Sequence, residues 1–176
     1  MTLGILLLFE KSLCRVCRET GKLPVPKSIG GYRRFPGADC YSMNAAVQIR
    51  PVTHTDFDAW LRLRTAHWPD GAADHGPEIA AFFAGMASEP QAVFLAECNG
   101  RAIAVMELSI RKDLPMLPNV DVGYVEGFYI EPEFRGRGIT RRLLRFAQDW
   151  SRKQHCAAFA SDRDGRIILD PRYCPK

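Results

Sequence analysis

The sequence predicts one α/β (α+β) domain with its elements in the order β-α-α-β-β-β-α-β. Three observations carry this. An alternating run, Val47–Val52, leads straight into a helix-start signal at Thr53. An Asn99-Gly100 pair joins two strand-like segments. An apolar segment, Val122–Ile130, meets Glu131-Pro132, then the knot Arg135-Gly136-Arg137-Gly138, then an amphipathic run. With 176 residues, 47% hydrophobic and 25% charged, the chain is long and apolar enough to bury one ordinary core.

Each element has a local reason. Val47–Val52 alternates as a half-buried strand does. Thr53-His-Thr-Asp56 is an S/T-x-x-D helix start. Phe57, Trp60, Leu61, Arg64 and Trp68 follow at helical spacing, with Leu63 and His67 alongside, until Pro69-Asp-Gly stops the run. Pro77-Glu78 then opens a second helix with Ile79, Phe82, Phe83 and Met86 on one face. Ala92–Cys98 and Arg101–Arg111 flank Asn99-Gly100, the pair that a type I′ hairpin turn needs. Pro115 and Pro118 mark 112–121 as a loop. Val122–Ile130 reads as a buried strand, Arg137–Lys153 as a long helix and Cys156–Ala160 as a short buried strand. That helix turns Ile139, Leu143, Leu144, Ala147 and Trp150 inward, and Arg141, Arg142, Arg145 and Asp149 outward. The tail, 163–176, resolves into no element.

Residues 1–42 read differently. They hold seven basic and three acidic residues; removing these from the chain's 24 and 20 leaves 17 of each sign. The net charge of +4 is therefore a property of this stretch, not of the domain. It is read as a poorly structured leader outside the domain, with Met43 as a candidate true start. Met1–Phe9 is apolar, but too short to span a bilayer and without the basic flank of a signal peptide. Cys14-Arg-Val-Cys17 is a lone C-x-x-C with no second pair, so no metal site is expected. The six cysteines read as free thiols of a reduced, cytoplasmic protein.

The knot is where chemistry enters. A helix start leaves backbone N–H groups unpaired and carries partial positive charge. Glycines there let the backbone approach an anion closely, and arginines add forked donors suited to phosphate. Strand, Glu-Pro, Arg/Gly knot and helix together point to pyrophosphate binding. The alternative is a glycine turn with solvated arginines. The knot is neither a Walker A loop nor a G-x-G-x-x-G fingerprint.

Ile130-Glu-Pro-Glu-Phe-Arg-Gly-Arg-Gly-Ile139 resembles the acetyl-CoA signature Q/R-x-x-G-x-G/A of the GNAT superfamily of N-acetyltransferases, with Thr140 in place of the final Gly/Ala. Four segments narrow the resemblance to the aminoglycoside 6′-N-acetyltransferases: Leu61–Gly71, Glu107–Asp113, the stretch around Val125–Ile139, and Ala158–Asp162. The resemblance implies a GNAT-like mixed, mostly antiparallel sheet flanked by helices. It divides the chain into a leader (1–42), an acetyltransferase core (43–162) and a tail (163–176), with the fold truncated after the fifth strand. It implies acetyl-CoA as co-substrate, docked on Phe128, Tyr129, Ile130, Arg135, Gly136, Arg137, Gly138, Ile139 and Thr140. Trp68 lines the drug site, and Glu126 and Asp162 hold the drug's amines. The implied partner is an aminoglycoside such as kanamycin or tobramycin, with no nucleic acid and no membrane; members are often homodimers.

The residues agree with that implication. A polycationic substrate needs carboxylates, and Glu126 sits in an apolar strand, where an unpaired charge is expensive. An ion pair with a nearby arginine is the alternative for Glu126, a turn cap for Asp162, and a core position for Trp68. The expected reaction is direct acyl transfer, with Glu126 or Asp162 as base and a backbone N–H near Phe128 for the oxyanion. The resemblance ends at Asp162, and Leu114 stands where the family tends to have tyrosine. Two other readings compete: an impaired fragment that binds acetyl-CoA without turnover, and a GNAT enzyme for another amine.

Overall fold

In the computed structural model, which describes residues 46–163 and 165–175, a six-stranded sheet runs in the order β1-β2-β3-β4-β5-β6. Its strands are β1 (Val47–Pro51), β2 (Ala92–Cys98), β3 (Arg101–Leu114), β4 (Leu117–Ile130), β5 (Ala158–Arg163) and β6 (Arg166–Leu169). Every neighbouring pair is antiparallel except β4 with β5. That one parallel pair needs a long crossover, and α3 (Ile139–Lys153) supplies it. The helices α1 (Phe57–His67) and α2 (Ala72–Phe83) come between β1 and β2. The leader, with Cys14, Cys17 and Cys40, lies outside the described residues.

The sheet is the middle layer. On one face, Ile139, Leu143 and Ala147 of α3 pack with Phe94, Ala96, Met106, Leu108, Val125 and Ile130. On the other, Trp60 and Leu63 of α1 and Ile79 of α2 pack with Val93, Leu95 and Val105. The alternation along β2 and β3 divides between these two cores as a pleated strand should. Each fully buried large side chain contributes roughly 1.5–3 kcal/mol. Arg142 of α3 also donates to the Val47 carbonyl, tying the helix to β1.

Local signals set several boundaries. Thr53 and Asp56 form the reciprocal cap, with Thr53 N–H and Oγ1 both donating to Asp56 Oδ2 at 2.8 Å. Arg50 grips the same carboxylate and holds it well below the usual range. Asn99 (φ +49°) and Gly100 (φ +78°) make the β2–β3 turn.

The structure corrects four expectations. The expected loop at 112–121 is mostly strand: β3 runs to Leu114, β4 starts at Leu117, and Asp113 pairs with Pro118 beside an irregularity that spares the proline a ladder bond. The second helix begins at Ala72, with Pro77 inside it. Met86 lies past its end and is exposed rather than core-facing. Finally, the sheet does not stop at five strands. Arg166–Leu169 of the tail pairs with β5, and Ile167 and Leu169 pack on Leu114, Val122, Tyr124 and Ala160.

Candidate active site

The site is built where β4 and β5 part. Their parallel pairing covers only Val122–Val125 and Ala158–Ser161. Glu126 is the first residue past the fork on β4, and Asp162 the first past it on β5. From Gly127 to Ile130, β4 pairs with β3 alone. Its other edge there offers backbone groups to a ligand instead of to a strand.

A bulge sets Glu126 apart. Glu107 of β3 pairs with Gly127 and the next residue, Leu108, pairs with Val125, so Glu126 has no opposite number. Such an extra residue re-aims side chains. The parity of the strand changes across it: Val125 packs in the α3 core, and so do Phe128 and Ile130. Glu126 is half-buried and ion-paired, with Arg111 donating Nε to Oε1 at 2.8 Å and Nη2 to Oε2 at 2.5 Å. The ion pair that the sequence left as an alternative is therefore present. Asp162 accepts the hydroxyl of Tyr124. Burial and this bond raise the Tyr124 phenol well above its ordinary pKa, so it stays protonated.

Trp68 follows the last residue of α1 and lies against β4. A Cβ on Gly127 would sit 2.3 Å from Trp68 Cη2, so the glycine is what lets the ring seat there. The ring is half-buried, not a core tryptophan. It is held from behind: His75 donates Nε2–H to the Trp68 carbonyl at 2.9 Å, and the Arg64 guanidinium lies 5.7 Å from the ring centroid. Arg64 in turn bonds Glu78 at 2.6 Å and approaches buried Glu107, which accepts Trp60 Nε1–H at 2.6 Å. Burial pushes the Glu107 carboxyl up. His67 lies tilted between Trp68 (4.3 Å) and Tyr129 (6.1 Å), and burial pushes its pKa down.

Downstream, β4 delivers the chain into the knot. Glu131 is buried and clamped by Arg62 and Arg101. Arg135 bonds the Ile130 carbonyl at 3.0 Å and lies over Tyr129. Gly136 (φ +75°) and Gly138 (φ +76°) both adopt the left-handed region, Gly138 as the cap of α3. Residues 135–138 are exposed, Ile139 is buried under them and Thr140 is half-buried in the first helical turn, which holds no acid. Two left-handed glycines and two arginines thus stand at a helix start, with Arg137 lying 5.3 Å from the Phe134 ring centroid.

Of the expected residues, Glu126, Phe128, Tyr129 and Ile130 lie on β4, Asp162 on β5, Trp68 at the end of α1 against β4, and 135–140 at the start of α3. Arg111, Tyr124, Gly127, Glu107 and Arg64 went unassigned in the sequence. Gly127 had a signal, since glycine inside a strand often marks a close approach. Arg111 lay in a quoted segment without a role. Tyr173 of the tail stacks on Phe159 at 5.8 Å and donates to the Cys156 carbonyl. Leu114 is buried against Tyr124. Among the described residues no three His, Cys, Asp or Glu side chains gather as metal ligands. No described helix is long and apolar enough to cross a membrane.

The model of the Acetyltransferase (GNAT) family matches residues 57–166. The chain belongs to the GNAT family. This GNAT chain is 38% identical over 122 residues to an aminoglycoside N(6′)-acetyltransferase type 1 of Klebsiella aerogenes, covering 68% of itself and 80% of that relative. It is 36% identical over 120 residues to the enzyme of the same name from Stenotrophomonas maltophilia, covering 67% and 76%. Among solved structures it resembles aminoglycoside N-acetyltransferase AAC(6′)-Iy in complex with CoA, with TM-score 0.62 and 28% identity over 69% of this chain and 79% of that one. The same enzyme with the bisubstrate analogue CoA-S-monomethyl-acetylneamine gives TM-score 0.61 at 28% identity, covering 73% and 82%.

Proposed function

We propose that this GNAT enzyme transfers the acetyl group of acetyl-CoA to the 6′-amino group of an aminoglycoside. The observation that carries the reading is the fork: Glu126 and Asp162 flank it, Trp68 walls it at Gly127, and the strand between runs into the Arg135–Thr140 cradle. The names of the relatives support the substrate class. Residues 43–162 are read as the catalytic core.

In this reading the diphosphate of acetyl-CoA lies on Arg135, Gly136, Arg137, Gly138, Ile139 and Thr140. Its pantetheine arm pairs with the free edge of Phe128, Tyr129 and Ile130 as an added strand would. The drug's sugar ring packs on Trp68 and its ammonium groups meet the two acids. Glu126 or Asp162, directly or through water, takes a proton from the 6′-ammonium. The free amine attacks the thioester carbonyl. A backbone N–H near Phe128 stabilises the oxyanion; the tetrahedral species then breaks its C–S bond, and the remaining extra proton on nitrogen passes to the CoA sulfur, directly or through water, giving the amide and CoA thiol.

The test is turnover of purified chain with acetyl-CoA and kanamycin, following free CoA thiol and the acetylated drug by mass spectrometry. The expected result is drug-dependent CoA release that Glu126→Gln sharply lowers. Unchanged kinetics in that variant would remove Glu126 from the mechanism; no drug acetylation would overturn the substrate.

A further inference from the structure

Both acids at the fork are already engaged, and the residues that engage them touch each other. Arg111 holds Glu126 with two donors. The same guanidinium lies 3.9 Å from the ring centroid of Tyr124, and the Tyr124 hydroxyl bonds Asp162. Four side chains form an unbroken series from one acid to the other.

We propose that Arg111 and Tyr124 are positioning residues that hold the two carboxylates as one two-point receptor for spaced ammonium groups. The inference rests on the reading that Glu126 and Asp162 receive the drug's amines.

The chemistry favours it. A carboxylate has about four lone-pair sites. The arginine fork takes one on each oxygen of Glu126, which fixes the plane of the group and leaves one on each for a substrate ammonium. Asp162 likewise spends one oxygen on Tyr124 and keeps the other. An arginine–carboxylate pair alone at a surface contributes little, because the side chains wander. Here the face of Tyr124 takes away that freedom, and Arg111 is only 35% exposed. Lysine could keep the charge but neither the fork nor the flat stack. A single amine would use one acid; a polyamine that spans the fork uses both, and feels their spacing.

The experiment is steady-state kinetics of Arg111→Lys, Tyr124→Phe and the double variant, with kanamycin and acetyl-CoA varied in turn and melting followed alongside. The expected result is a KM for kanamycin raised about ten- to hundredfold in Arg111→Lys, the equivalent of charged hydrogen bonds lost. Tyr124→Phe, which removes one hydroxyl, raises it too. The double variant is no worse than Arg111→Lys, because both break the same series. The KM for acetyl-CoA stays put in all three. Wild-type kanamycin KM in either single variant, or a parallel rise in both substrates' KM values, overturns the proposal. If Arg111→Lys does not fold, Tyr124→Phe decides alone. Wild-type enzyme that leaves kanamycin unmodified, or Glu126→Gln with wild-type kinetics, strikes the functional reading instead.

Discussion

Gly127 has no side chain because Trp68 fills the space one would take. Overpacking such a contact costs about 1–3 kcal/mol, and the cheapest relief is for the ring to lift off the strand. Gly127→Ala is therefore expected to raise the KM for kanamycin about tenfold, the equivalent of ~1.4 kcal/mol, with the KM for acetyl-CoA unchanged. Steady-state kinetics on both substrates check it. Trp68, Glu126 and Asp162 were expected from the family resemblance, and only Glu126, an acid inside an apolar strand, was also marked by its own surroundings. Their partners were not identified. Arg111 and Glu126 are fifteen residues apart, Tyr124 and Asp162 thirty-eight, and nothing in composition says which arginine meets which acid. The same holds for Trp60 and Glu107, forty-seven apart and buried together.

The cradle before α3 is a matter of backbone shape. Gly136 and Gly138 hold φ values that cost an alanine about 1–2 kcal/mol. Gly138→Ala is expected to weaken CoA binding severalfold in calorimetry. Gly100→Ala, with the same backbone strain in the β2–β3 turn, serves as the control and leaves CoA affinity alone. Elements with strong punctuation were readable: the Thr53 cap, the Asn99-Gly100 turn, the glycine start of α3. Elements marked by proline were misread. Pro77 sits inside α2, and Pro115 and Pro118 sit at the end of a long hairpin beside a register shift. β6 is four residues long after a polar stretch, too short for its alternation to register before Ile167 and Leu169 find their core.

At the level of the molecule, the two ends of α1 respond to acid in different pH windows. His67 lies among Trp68 and Tyr129, and burial lowers its pKa from the ordinary 6.5. The unfolded chain therefore binds that proton more readily than the folded one. Stability from the neutral ring is fully present above about pH 6.5 and drains away as pH falls below it. His67→Gln removes the dependence. The melting temperature of wild type minus variant is expected to fall between about pH 7.5 and 5.5, and a flat difference would contradict it. Asp56, held low by Arg50, acts only in the carboxylate range further down. The order of strands and helices was readable from local signals, while the global arrangement, a mixed sheet between helices, was expected from the family resemblance. What element order could not supply was the phase of β4. Val122–Ile130 is apolar on both faces, so no alternation betrayed the bulge. That bulge makes Glu126 a spacer as well as an acid: it is the odd residue that lets Val125 and Phe128 look the same way. The fold can accept another side chain at position 126, but not the loss of the position. Deleting it would restore simple alternation and turn Phe128 and Ile130 out of the core beneath α3. The strand thus stores its aim in a count of residues, which a comparison of residue types alone would pass over.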